Sequence, residues 1–224
     1  MKLSKLAIVA IAAVVAVYVR AIYFTPIEAL QGAAQKILYV HAPAAWVAFL
    51  AFGLVAVTSG LYLWLRDPKL DYIAESSAEV GLLFTTVVLL TGPLWAKPIW
   101  GAYWTWDARL TFTLILWFVY VGYLVLRGAI DDRDMRARYS AVLGILGAAL
   151  VPFIHLSVYM FRTLHPQPVL IKPSAPSMPP VMVTTLVSAF GAFTLLYVWL
   201  LRERYAYAIE RDAARQRLGM EGEV

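Results

Sequence analysis

Six long apolar runs, separated by charged or proline-rich sequence, give this chain its pattern. They cover residues 6–24, 38–65, 80–96, 110–126, 139–161 and 181–201. About 20 apolar residues span the hydrocarbon core of a bilayer as a helix, so each run predicts a transmembrane helix. The first is opened by Lys2 and Lys5 and interrupted only by Arg20; it is read as a retained helix rather than a cleaved signal. The second carries no ionised side chain unless His41, near its start, is protonated. Pro43 is placed in its first turn, where proline is tolerated, with His41 at the helix mouth. The third follows Glu75 and Glu79, the fourth is closed by Arg127, and the fifth contains Pro152 and His155. Residues 162–180 hold six of the twelve prolines, which predicts an extended or turn-rich lid rather than a helix. The resulting expectation is an all-α integral membrane protein: one domain over residues 1–224, six transmembrane helices and a tryptophan-rich outer loop.

Composition agrees with this pattern. The 224 residues are 62% hydrophobic and only 15% charged, where a soluble domain carries about a quarter charged residues. The net charge of +5 does not point to nucleic acid, because the basic residues are scattered over short loops and tails facing membrane lipid. With an even number of spans both termini share one side. One set of connections and tails carries thirteen Lys and Arg, the other six. The excess of positive charge places both termini in the cytoplasm. His41, the tryptophan stretch and His165 then lie on the outer side, on three separate connections. The absence of cysteine excludes disulfides, thiolate chemistry and the C-x-x-C-H attachment of haem. No Walker-type phosphate loop and no H-E-x-x-H occurs.

The candidate chemistry centres on residues 95–111, WAKPIWGAYWTWDARLT, which hold Trp95, Trp100, Trp104 and Trp106, four of the eight tryptophans. Two readings of this cluster are open. Tryptophan and tyrosine gather at membrane interfaces, but a belt of one or two per helix end accounts poorly for four in twelve positions. The alternative is an aromatic platform for a flat ligand, with Tyr103 included. Asp107 is placed to cap the fourth helix, and Arg109 to mark the membrane boundary or meet a carboxylate. The three histidines are His41, His155 and His165. Imidazole is a common axial ligand of haem iron, so His41 and His165 are either such a pair or interfacial side chains bonded to backbone or water. His155, about ten residues before His165, reads as a neutral residue bonded to a neighbouring helix. Lys36, Lys97, Arg162 and Lys172 join Arg109 as basic residues that a haem propionate would meet.

At these residues the sequence resembles the CcmC family, haem-handling membrane proteins of cytochrome c maturation. Trp100-Gly-Ala-Tyr-Trp104-Thr-Trp106-Asp-Ala-Arg109 resembles the WWD signature of that family, approached by Thr91-Gly-Pro-Leu-Trp95-Ala-Lys97-Pro-Ile-Trp100. Residues 36–46 resemble its first histidine motif and residues 157–165 its second. Tyr103 stands where the family usually has tryptophan. Tyr159, Met160, Phe161 and Arg162 stand in place of Glu-Trp-Trp-Asn, which removes an acidic group and adds a cation. The resemblance implies that His41 and His165 are axial ligands of a non-covalent haem b. Trp95, Trp100, Tyr103, Trp104, Trp106, Asp107 and Arg109 would then line the haem.

It also implies a task, presenting haem to the chaperone CcmE, with CcmD and the CcmA–CcmB transporter as partners. The site would face outward in the bacterial inner membrane, in a haem-lyase-like assembly factor rather than a conventional enzyme. Two other readings remain: a haem permease, and a cytochrome c synthase of the CcsA or CcmF type, whose chains are longer and richer in histidine.

Overall fold

The computed structural model describes residues 4–161, 163–166 and 177–221. Arg162, Lys172 and most of the proline-rich stretch lie outside the described residues. Seven helices follow in order: α1 Lys5–Val19, α2 Leu38–Leu65, α3 Pro68–Trp100, α4 Ala108–Ala129, α5 Arg133–Ala148, α6 Leu150–Met160 and α7 Pro180–Glu221. α1 continues into a π turn, Arg20–Phe24, and a 3₁₀ turn, Ala33–Ile37, leads into α2. With α5 and α6 taken as one segment, six segments are long and apolar enough to cross a membrane. The chain is therefore an all-α integral membrane protein. The starts of α2, α4 and α7 and the ends of α3 and α6 gather at what we term the histidine end. The opposite, arginine end holds the starts of α3 and α5 and the end of α4.

Several boundaries differ from those read in the sequence, each for a physical reason. α3 is 33 residues long and begins at Pro68, capped by the Asp67 carboxylate, which accepts from the Lys69 amide at 2.9 Å. Apolarity hides its first turns, because Asp71, Glu75 and Glu79 recur there every fourth residue on one face. At its other end α3 runs on to Trp100, through Pro93 and Pro98, so Trp95 and Trp100 are helical and only residues 101–107 form a connection. Gly101 ends the helix at φ +77°, a conformation that suits glycine, and its N–H donates to the Lys97 carbonyl. Pro43 lies two residues beyond His41 inside α2, because the 3₁₀ turn supplies the helix start. The fifth run breaks at Ala149 into α5 and α6, where Pro152 lacks the amide that would bond the Ala148 carbonyl. α7 extends about 20 residues beyond its apolar run, so the arginine tail is helical.

The core is built on α2. Ala44, Ala48, Ala51 and Val55 repeat at helical spacing and are buried, and such small side chains let membrane helices approach closely. Phe52 stacks on Tyr120 of α4, ring centroids 3.9 Å apart, and Tyr120 donates to the Gly144 carbonyl of α5 at 2.9 Å. Trp46 Nε1 donates to Thr194 of α7 at 3.2 Å. α1 joins α7 through Arg20, whose guanidinium donates to Thr184 and Thr185, both at 3.0 Å.

At the arginine end, Arg127 of α4 makes a bidentate pair with Asp71 of α3, at 2.7 and 2.9 Å, and reaches Glu75 at 3.0 Å. Arg211 of α7 binds Glu75 through both nitrogens at 2.9 and 2.8 Å. Asp212 accepts from Tyr72 at 3.2 Å and faces Arg133 and Arg136, and Arg204 pairs with Glu79. These pairs neutralise the carboxylates of α3 and fix the helical tail of α7 to the bundle.

Candidate functional site

A cavity of ≈ 450 Å³ opens among α2, α3, α4, α6 and α7 at the histidine end. That is within the range of small-molecule and cofactor sites. Its walls include Trp95 and Trp100 from the last turns of α3, Trp104 from the following connection, and Phe49 and Phe190. His41 and His165, 124 positions apart in the chain, both line it, and so does Arg109 from the first turn of α4.

The two imidazoles are held in the same way. His41 Nδ1 lies 2.9 Å from the Thr91 hydroxyl, and that hydroxyl donates to the Val87 carbonyl at 2.7 Å. With the Thr91 proton committed, Nδ1 of His41 is the donor and its Nε2 keeps the lone pair. His165 Nδ1 lies 2.9 Å from the Pro166 carbonyl, which only accepts, so here too Nδ1 carries the proton and Nε2 the lone pair. Burial and the Arg109 guanidinium push the His165 imidazole down to about 4, against a weaker upward pull from the Pro166 carbonyl and Asp107. Each ring is thus bonded through Nδ1 to a protein oxygen that sets its tautomer, the arrangement that orients metal-binding histidines. Gly92 completes the seat of His41: a Cβ there would stand 3.3 Å from Cε1 of the ring. Trp95 meets the same ring edge-on at 5.8 Å and donates through Nε1 to Gln31 at 3.0 Å.

The other expected residues divide. Tyr103 and Trp106 do not line the cavity; they are 58% and 78% exposed. Lys97 sits over the Tyr103 ring and donates to the Gly101 carbonyl at 2.9 Å. Trp106 packs edge-on against Trp104 at 5.9 Å. Asp107 also stands apart from the cavity; it is the N-cap of α4, accepting from the Arg109 amide at 2.9 Å. Lys36 is held by the carbonyls of Ala21, Thr25 and Pro26. Arg109 is therefore the only Lys or Arg lining the cavity among the described residues.

His155 lines the cavity as well, beside Ile154, and tilts against Tyr159 with ring centroids 6.4 Å apart. Sequence reasoning did not single out Thr91, Gln31, Thr163, Phe49 or Phe190. Thr91 alone carried a signal, standing next to a glycine one helical turn before Trp95.

The family described as Heme exporter protein C matches residues 1–219. The chain is similar to the Heme exporter protein C of Bradyrhizobium diazoefficiens, 38% identical over 86% of this chain and 72% of that protein. It is 36% identical to its counterpart from Haemophilus influenzae, over 86% and 78%. A putative cytochrome c biosynthesis ccmC-like mitochondrial protein of Marchantia polymorpha is 35% identical over 78% and 74%. On this match across nearly its whole length, the chain belongs to the CcmC family, Heme exporter protein C.

Proposed function

We propose that this protein binds haem between His41 and His165 at the outer face of the bacterial cytoplasmic membrane. We further propose that it presents the haem to the chaperone CcmE during c-type cytochrome biogenesis. One observation carries the reading: two neutral imidazoles, each anchored through Nδ1 and each keeping its Nε2 lone pair, line one cavity with Arg109. The donor set suits the group. Nitrogen ligands fit the axial positions of haem iron, and a guanidinium fits a propionate. Trp95, Trp100 and Trp104 offer apolar walls to the macrocycle. Haem supplies the iron and the reactive porphyrin edge; the chain holds, orients and shields it.

The chain has no cysteine to form a thioether bond, and the ligand we propose is haem b held non-covalently. Tyr103 and Trp106 are assigned to the interfacial rim of the mouth. CcmD and the CcmA–CcmB transporter are proposed as partners on family membership alone. Both termini are assigned to the cytoplasm, a reading supported by the basic residues gathered at the arginine end. Buried ion pairs fill that end, which favours binding at one face over passage through the bundle as in a permease.

The visible spectrum of the purified chain tests the assignment. The expected result is a coloured protein with a six-coordinate, low-spin spectrum that His41→Ala and His165→Ala each abolish. If both variants keep the spectrum and stoichiometry of the parent, the two histidines are not the ligands. Haem uptake by vesicles holding this chain alone would favour the permease.

A further inference from the structure

The residues around Asp107 do more than cap a helix. One carboxylate oxygen, Oδ1, accepts from the Arg109 amide and fixes the start of α4. The other, Oδ2, crosses to a distant part of the chain, accepting from the Leu164 amide at 2.9 Å and from the Thr163 hydroxyl. The same Thr163 oxygen accepts from the His165 amide at 3.1 Å. These bonds lock three successive residues, Thr163 to His165, onto the N-terminus of α4. His165 otherwise sits beyond the end of α6, on irregular backbone, whereas His41 is carried by a helix. A ligating ring on irregular backbone needs another source of fixed geometry.

We propose that Asp107 and Thr163 form a latch that positions the His165 imidazole over the cavity, and that Asp107 serves the ligand through His165 rather than by touching it. The proposal rests on the reading of His165 as an axial ligand. Asp107 and Thr163 are positioning residues, and the latch makes the two ligands unequal. His41 is set by the rigid α2–α3 pair, while His165 is set by three hydrogen bonds to one carboxylate and its hydroxyl partner. Loss of the latch releases His165 and leaves His41 in place.

The test uses the full purified chain, with and without haem, carrying Thr163→Val, Thr163→Ser or Asp107→Asn. In the haem-free protein, Thr163→Val speeds amide exchange at Leu164 and His165 at least tenfold, while Thr163→Ser retains the parent rate. In the loaded protein, Thr163→Val and Asp107→Asn convert low-spin haem to five-coordinate, high-spin haem. Added imidazole restores the low-spin spectrum and Thr163→Ser keeps it. Haem affinity falls about 10–100-fold, as for other outer-sphere partners of metal-bound histidine.

Unchanged exchange in Thr163→Val overturns the latch whatever the ligand. A low-spin spectrum preserved in Thr163→Val, where His165→Ala loses it, also overturns the latch but leaves the axial assignment standing. A spectrum indifferent to His165→Ala removes the axial assignment and with it the role of the latch in haem binding.

Discussion

The two ends of this bundle set polar side chains among apolar helices and treat them in opposite ways. At the arginine end every carboxylate of the α3 stripe meets a guanidinium, and the side chains of Arg127, Asp71 and Glu75 are 4%, 8% and 6% exposed. At the histidine end the polar groups are only half committed. The imidazoles of His41 and His165 each bond a protein oxygen through Nδ1 and leave Nε2 free, and Arg109 has no ion pair among the described residues. Ionisable groups within a membrane protein are costly unless paired, so the paired end reads as structure and the half-paired end as a site. The difference separates stability from binding. Substitutions at the arginine end should lower stability and leave the site of the folded protein intact; substitutions at the histidine end should weaken binding at little cost in stability.

The largest expected effect is that of Arg127→Leu. It leaves Asp71 and half of Glu75 uncompensated in a buried position, which costs about 3–5 kcal/mol. Thermal unfolding in detergent should show a large fall in stability, partly recovered by adding Asp71→Asn, while whatever folds keeps its haem spectrum. A variant that lost haem at unchanged stability would break the contrast between the two ends. Next comes Thr91→Val, which removes the acceptor behind His41. Haem affinity should fall about 10–100-fold for a stability loss of only about 1 kcal/mol, read by haem titration and thermal unfolding of the same preparation.

The smallest effect concerns protons. In the haem-free protein His165 should titrate near about 4 rather than near 6.5, followed by the NMR signal of its ring. The folded state refuses a proton that the unfolded chain accepts. The contribution of this group to stability is therefore complete above 6.5 and is lost as pH falls towards 4. A midpoint near 6.5 would show that the ring is more open than the site requires.

Much of this was legible from residue order alone. The apolar runs located all six membrane segments, because length and hydropathy are local properties. Asp107 as a helix cap was equally local, since an aspartate just before an apolar run meets free amides in most contexts. What escaped was set by distance in sequence. Glu75 and Glu79 read as residues preceding the third span because their partners, on α4 and α7, are 52 to 136 positions away. The fold also divides the aromatic stretch. Trp95, Trp100 and Trp104 turn into the cavity while Tyr103 and Trp106 turn out, a division made by where α3 ends and residues 101–107 bend.

The sequence by itself determined that this chain is a six-span helical membrane protein, and it supplied the residue types a haem site needs, since hydropathy and side-chain chemistry belong to each residue alone. Only the tertiary structure decided that His41 and His165 share one cavity, that Arg109 rather than Lys36 or Lys97 lines it, and that Asp107 grips the His165 loop. The reason is that hydrogen-bond donors are assigned by proximity in space. A lysine or carboxylate that is free in the sequence is often already committed once the helices have packed.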